Sequence, residues 1–159
     1  MPFQMQAAQF PHGGWPEATD RIPGAAANYP KGAPVTWNTG TGRLDEHALG
    51  ATVTNIAGVS LEGVRTGDPD NPSGTVNFTK ATRSNVYVAS LVNGSGVVQI
   101  PDAANLNVNY GLLKVGSGQN AWWGVDESDT TDVVVEVIDL DLERDLVYFK
   151  FIESAIQEI

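Results

Sequence analysis

The chain has 159 residues, enough for one domain of ordinary size, and its lack of cysteine excludes disulfides, thiolate metal sites and cysteine nucleophiles. Its formal net charge is −10, so it lacks the basic footprint that nucleic-acid binding requires. The apolar residues form neither the pattern of a signal peptide nor a run long enough to span a bilayer. We therefore expect neither nucleic acid nor membrane as a partner.

The first 34 residues are the most distinctive stretch. Six of the nine prolines fall there, and proline prevents a helix or a central strand from running through it. Large apolar residues nevertheless recur every five to seven positions along it. We interpret residues 1–34 as an extended arm and residues 35–159 as a β-rich domain. The predicted partner-binding residues of the arm are Phe3, Phe10, Trp15, Ile22 and Tyr29.

The apolar residues of the arm are too few to hold it in place. Ordering some thirty residues costs roughly 30–60 kcal/mol, whereas burying five large side chains returns only about 8–15 kcal/mol. The arm is therefore predicted to be mobile on an isolated chain and ordered in an assembly, where its main chain pairs with the exposed edge of a partner. The alternative is an arm that wraps around its own domain.

The first half of the domain alternates short apolar runs with turns. Residues 35–38 are predicted to form a strand, and residues 44–49 a helical turn or a loop. Residues 51–64 are expected to contain two short strands around Gly58. The runs 74–80 and 85–92 alternate in polarity across a short polar turn, so they predict a hairpin.

The second half continues the same pattern. Further short strands are expected at 96–100, 106–108 and 111–115. Residues 133–142 and 146–152 flank a tight polar turn and predict a closing hairpin, followed by a short helical tail. Short strands at regular spacing with Gly-rich turns predict an all-β fold, namely a small β-barrel or β-sandwich.

Residues 120–159 contain 11 acidic and 2 basic residues, against 8 acidic and 7 basic residues in the remainder. The last quarter therefore supplies −9 of the net charge. Two loops, residues 66–74 and 126–132, carry enough oxygen ligands to leave calcium binding open, although aspartates in such loops more often form turns through their own backbone. No other cofactor is expected.

No catalytic pattern is complete in the sequence. Ser95 and Ser117 lie in Gly-Ser-Gly turns that do not match a nucleophile elbow, and the two histidines, His12 and His47, have no evident partners. The adjacent Trp122 and Trp123 fall on a predicted strand, where alternation should bury one indole and expose the other. An exposed tryptophan suits a protein interface or a stacking platform for sugars. Both residues are therefore candidate binding residues.

Residues 30–64 carry a resemblance to a known family. They read PKGAPVTWNTGTGRLDEHALGATVTNIAGVSLEGV, with a Pro-x-Gly-x-x-Val strand opening, a Gly-rich turn and a closing Ile-Ala-Gly-Val-Ser-Leu-Glu-Gly-Val. This segment resembles the small cement, or decoration, proteins of tailed-bacteriophage capsids. The resemblance implies a β-rich, often trimeric module without catalytic residues. Such a module binds the outer capsid surface where subunits of the major capsid protein meet.

Three functional hypotheses follow. The first is a structural virion protein that cements neighbouring major capsid protein subunits and associates with itself as a homotrimer. The second keeps the virion location but makes the chain the base of a head fibre. The third is a carbohydrate-binding or surface-binding β module that uses Trp122 and Trp123.

Overall fold

The computed structural model describes residues 3–8, 18–21, 23, 27–48, 56–65 and 75–159, with the backbone alone for 18–21. The described residues form strands and three single 3-10 turns, which confirms the all-β prediction. No described helix is long and apolar enough to cross a bilayer. The strands are β1 Gln6–Ala7, β2 Ala18–Arg21, β3 Asn28–Tyr29, β4 Pro34–Asn38, β5 Arg43–Glu46, β6 Gly58–Ser60, β7 Val64–Arg65, β8 Val76–Lys80, β9 Tyr87–Val92, β10 Val98–Gln99, β11 Asn109–Val115, β12 Trp122–Asp126, β13 Val135–Asp141 and β14 Leu146–Phe151.

Five strands pair in a closed ring. Strand β9 runs parallel to β12, and the ring continues through the antiparallel pairs β12–β11, β11–β13 and β13–β14. The antiparallel pair β14–β9 closes it. The second half of the chain is therefore a small β-barrel, and β1 and β10 are added to β9.

The barrel interior is filled by alternate residues of its strands, as the period of two in a β-strand requires. In β9, Tyr87, Ala89 and Leu91 belong to the main core. The intervening Val88 instead belongs to a separate cluster on the outside of the barrel, with Ala8, Val86 and Leu146.

The first half of the chain forms two smaller sheets. One has the order β2-β8-β6-β4-β5, and the other pairs β3 with β7. Val35, Val59 and Phe78 of the five-stranded sheet join the same core cluster as the barrel interior, so the barrel and the sheet share one core.

The hairpin predicted from residues 74–80 and 85–92 is wrong. Strand β8 pairs with β6 and β2, whereas β9 belongs to the barrel. A side chain connects them instead, because the Tyr87 hydroxyl donates to the backbone oxygen of Lys80 at 2.7 Å. The local alternation of both runs is correct, but the pairing partners lie elsewhere in the sequence.

Two further sequence predictions differ from the structure. Residues 43–46 form strand β5 rather than a helical turn, because they pair with β4 across a short turn. Gly58 begins β6, between β4 and β8, whereas residues 51–55, which hold most of the strand predicted before Gly58, lie outside the described residues. By contrast, the closing hairpin β13–β14 is confirmed, and the tail contains a 3-10 turn at Glu153–Ala155.

The tail returns to the five-stranded sheet. Ile156 bridges Ile56, where the amide of Gln157 donates to the Ile56 oxygen at 2.9 Å. The side-chain amide of Gln157 also bonds the backbone of Trp37: its oxygen accepts from the Trp37 amide at 2.7 Å, and its nitrogen donates to the Trp37 oxygen at 2.8 Å. The glutamine amide thus acts as one further peptide group beside β4.

Candidate functional site

The five predicted arm residues fall into two groups. Phe10, Trp15 and Ile22 lie outside the described residues. Phe3 is half-buried against the outer barrel cluster of Ala8, Val86, Val88 and Leu146, and Tyr29 is only 1% exposed. Neither described residue is therefore presented to solvent as a free anchor.

The described parts of the arm pair with sheets of the same chain. Strand β1 pairs with β9, β2 with β8, and β3 with β7. Met5 is 1% exposed and lies against Gly32, where a Cβ atom would stand 2.5 Å from the Met5 oxygen. In this single chain the described arm follows the second alternative, in which it wraps around its own domain. Main-chain pairing supplies the stabilisation that the apolar side chains lack.

The predicted alternation of Trp122 and Trp123 is wrong. Trp122 is 9% exposed and Trp123 is 1% exposed, and all five residues of β12 are buried. Neither indole forms a platform on which a sugar ring could stack. The sequence could not reveal this, because burial on both faces of β12 depends on tertiary packing, which for Trp123 involves Glu46 and His47, far earlier in the chain.

Trp123 instead belongs to a polar junction between the five-stranded sheet and the barrel, formed by Glu46, His47, Lys114 and Trp123. The Trp123 Nε1 donates to Glu46 at 3.0 Å, and the Lys114 Nζ pairs with the other Glu46 oxygen at 2.7 Å. The side chains of Lys114 and Glu46 are 18% and 19% exposed, so water screens this ion pair only partly. The junction therefore joins β5 to β11 and β12.

His47 lies at the same junction. Its ring centroid is 6.0 Å from that of Trp123, and its Nδ1 atom is buried without a hydrogen-bond partner. Burial lowers the pKa of His47. A neutral histidine in this setting contributes packing to the junction.

Tyr29 borders an open depression of about 250 Å³ that is also lined by Ala27, Asn28, Asp45 and Glu46. Burial, assisted by the carboxylates of Asp45, Glu46 and Glu62, raises the pKa of Tyr29 above its usual range. The hydroxyl oxygen has no hydrogen-bond partner and almost no accessible surface. A molecule in the depression could not contact this oxygen, so the buried hydroxyl does not make the depression a binding site.

The acidic loop of residues 126–132 uses its carboxylates within the loop. Asp126 accepts from the Ser128 amide at 2.9 Å, and Asp129 accepts from the Thr131 and Asp132 amides. The described residues hold no cluster of three or more metal-ligating side chains. The other calcium candidate, residues 66–74, lies outside the described residues.

A prominent surface feature among the described residues is an exposed aliphatic run in and beside β10, Val97, Val98 and Ile100, which we call the aliphatic strip; Val98 and Ile100 share one face of the strand and Val97 points to the other. These side chains are 57%, 49% and 77% exposed. They follow a tight turn at Asn93–Gly96 and end at Pro101. The sequence predicts only a strand here, because a short aliphatic run between Gly and Pro gives no sign of which faces remain uncovered.

A second depression, of about 510 Å³, lies between the tail and the segment after β8. An exposed ion pair between Arg83 and Glu153 stands beside it. The adjoining Gln157 amide is already bonded to the Trp37 backbone. This region fastens the tail to the sheet.

Comparisons with protein-family models, with curated proteins and with solved structures find no match to this chain.

Proposed function

We propose that this chain is a structural virion protein that binds the outer surface of a tailed-phage capsid and cements neighbouring major capsid protein subunits. The resemblance of residues 30–64 to cement proteins suggests the capsid as partner. The all-β fold is compatible with that suggestion. A homotrimer suits this role, because a threefold module matches a threefold junction of a shell.

The observation that carries the proposal is the exposed aliphatic strip on β10. Exposed apolar side chains that share one face of a strand, here Val98 and Ile100, are suited to bind other proteins. The strip is supported by β9, whose six residues are all buried. A partner could therefore bind the strip without the entropic cost of ordering a loop.

The arm contributes a second contact in this proposal. Its described strands are held at sheet edges by main-chain pairing, which is the same chemistry by which an extended segment joins a neighbouring sheet. Phe10 and Trp15 are the arm residues proposed to contact the shell. Met5 and Tyr29 serve the chain's own core instead.

The test is co-sedimentation of the purified protein with empty shells of the major capsid protein encoded in the same genome. We expect saturable binding that the Ile100→Lys substitution weakens and the control Leu142→Lys leaves unchanged, since Leu142 is an exposed aliphatic residue of the β13–β14 turn. The double substitution Phe10→Ser/Trp15→Ser tests the arm better than its deletion, because deletion would remove the buried Met5 and Tyr29. Absence of the wild-type protein from the shell pellet would overturn the proposal.

No observation favours the carbohydrate-binding alternative, because both indoles on which it depends are buried.

A further inference from the structure

The sequence contains one asparagine that is followed by glycine, Asn93, and the step Asn93–Gly94 forms the tip of the hairpin between β9 and β10. Asparagine is among the thermally labile residues. Glycine has no Cβ atom, so its backbone nitrogen can approach the side-chain carbonyl of the preceding residue closely. Gly94 is exposed and Asn93 is half-buried, so water reaches this step.

The reaction open to such a step is ring closure between a side chain and the main chain. The Gly94 nitrogen, after it loses its proton to base, attacks the Cγ atom of Asn93. The new N–Cγ bond closes a succinimide ring, and the side-chain nitrogen leaves as ammonia. Water then opens the ring, either at Cγ to give aspartate or at the α-carbonyl carbon to give isoaspartate. Water is the only co-reactant, and nothing is oxidised or reduced.

The fold engages both reacting groups elsewhere. The Asn93 Oδ1 atom accepts from the Ser95 amide at 3.0 Å and from the Val97 amide at 3.1 Å. The Gly94 amide donates to Ser128 Oγ of the acidic loop at 2.9 Å. The carbonyl is therefore bonded along the turn, whereas the attacking nitrogen is bonded to another loop. Ring closure requires the Gly94 proton to leave Ser128 and the two groups to face each other.

The surrounding main chain keeps these groups in place. The Asn93 amide donates to the Val97 oxygen at 3.0 Å, and the Gly96 amide donates to the Asn93 oxygen at 2.8 Å. The Ser128 amide donates to the Asp126 carboxylate at 2.9 Å, so the accepting hydroxyl lies in a loop that is held by its own hydrogen bond. The reaction must therefore wait until the tip of the hairpin separates from the acidic loop.

We propose that Asn93–Gly94 is a site of spontaneous conversion to aspartate and isoaspartate, and that the Ser128 hydroxyl restrains this conversion in the folded chain. The conversion proceeds through local opening of the hairpin tip, which needs less free energy than global unfolding. This inference goes beyond the proposed function and does not depend on a capsid as partner.

Isoaspartate would change the hairpin that carries the aliphatic strip. The main chain would run through Cβ and Cγ of residue 93 and would be longer by one carbon atom. The carbonyl of Asn93 that accepts from Gly96 would leave the main chain and become a carboxylate. The pairing of Val98 with Val92 would lose its register, because that register is set by the turn. Conversion should therefore separate β10 from β9.

The test compares the folded full chain with the same chain unfolded in urea, both incubated in mildly alkaline buffer. Mass spectrometry with fragmentation locates the converted residue, and enzymatic methylation detects isoaspartate. Asn93 should convert first in the unfolded chain and at least about tenfold more slowly in the folded chain. Asn38 is the internal comparison. Its Oδ1 also accepts from two amides of a turn, but the β-branched Thr39 that follows hinders attack, so Asn38 should stay intact.

A variant tests the part played by the acidic loop. Ser128→Ala should speed conversion in the folded chain about fivefold, the factor expected for the loss of one neutral hydrogen bond, and leave the rate in urea unchanged. Ser95→Ala is the matched control, because Ser95 bonds to Asn93 through its backbone amide, which the substitution keeps. Hydrogen exchange should become faster at the Gly94 amide of Ser128→Ala but not at the buried Leu91 of β9.

Several outcomes would overturn the inference. Equal rates in the folded and unfolded chains would show that the fold does not protect the step, and earlier conversion of another asparagine would place the labile site elsewhere. Equal or slower conversion in Ser128→Ala than in Ser95→Ala would remove the restraining role of the hydroxyl. Faster exchange at Leu91 together with Gly94 would attribute the acceleration to general unfolding and would contradict that role as well.

Discussion

The carboxylate of Glu46 accepts a hydrogen bond of 3.0 Å from the indole of Trp123, which lies 77 positions further along the chain. The same carboxylate pairs with Lys114, so one side chain of β5 holds two neighbouring strands of the barrel. The five-stranded sheet and the barrel share one apolar core, and this junction adds a polar connection between them, as does the hydrogen bond from Tyr87 to Lys80.

Replacing Glu46 with Gln should destabilise the protein by about 1–3 kcal/mol, because Lys114 would remain partly buried without its counter-ion. The matched control is Glu153→Gln, which breaks the ion pair with Arg83 at side chains that are 69% and 72% exposed. That control should cost less than about 1 kcal/mol. Denaturant unfolding followed by tryptophan fluorescence measures both changes. Equal losses in the two variants would contradict the structural role of the junction.

Replacing Tyr29 with Phe should leave stability unchanged or raise it by up to about 1 kcal/mol. The substitution keeps the ring in the core and removes a hydroxyl that is buried without a hydrogen-bond partner. Tyr87→Phe is the contrasting variant, because its hydroxyl donates to the Lys80 oxygen at 2.7 Å, and its loss should cost about 1 kcal/mol. A large loss for Tyr29→Phe in thermal unfolding would show that its hydroxyl has a partner.

Two of the four tyrosines should titrate at unusually high pH. Burial raises the pKa of Tyr87 to about 12, and burial with nearby carboxylates raises that of Tyr29 further above 10. A phenol with a raised folded-state pKa contributes stability that is fully present below the unfolded pKa near 10 and is lost as the pH rises through the folded pKa.

The free energy of unfolding should therefore fall above pH 10, by about 1.4 kcal/mol per pH unit for each phenol that stays protonated only in the folded chain. Ultraviolet absorbance of tyrosinate, compared between wild type and the two Tyr→Phe variants, measures the titrations. Ionisation of Tyr29 and Tyr87 near pH 10 would be incompatible with their burial.

Replacing Gly58 with Ala should destabilise the five-stranded sheet by about 3 kcal/mol or more. A Cβ atom at this position would stand 1.9 Å from the Thr79 oxygen, so β6 and β8 would have to separate. Gly63→Ala is the control, because the nearest atom to its Cβ, the Lys31 amide nitrogen, is 3.6 Å away. It should change stability by less than about 1 kcal/mol. Similar melting temperatures for the two variants would be the contrary result.

The parts of the fold that sequence could predict are local. The β13–β14 hairpin was predictable because its two alternating runs are joined by a short turn, and pairing across such a turn needs no distant partner. The runs that became β8 and β9 have the same local signal, yet each pairs with strands far away in the chain. Alternation identifies a strand but does not name its neighbours.

The same limit applies to the candidate site residues: the sequence predicts that they lie on strands, but it does not predict whether their side chains are buried. The positions of Trp122 and Trp123 on a strand were predictable, but their burial depends on what packs against the faces of β12, and for Trp123 this includes Glu46 and His47, far earlier in the chain. The exposure of Val98 and Ile100 was not predicted. Their exposure depends on the fact that no described strand covers them, and the sequence alone does not indicate this. Proline content predicted no central strand in the arm; its described strands β1, β2 and β3 do lie at sheet edges, but Pro34, the last arm residue, begins β4, which lies between β6 and β5.

The paired hydrogen bonds between Gln157 and the Trp37 backbone have a consequence for how this protein meets its neighbours. Unpaired backbone groups on a sheet edge are a template for unwanted chains, and beyond the end of β6 this part of β4 would present such groups. A single carboxamide occupies them instead. Gln157 therefore occupies backbone groups of β4 with which an extended segment of another chain could otherwise pair.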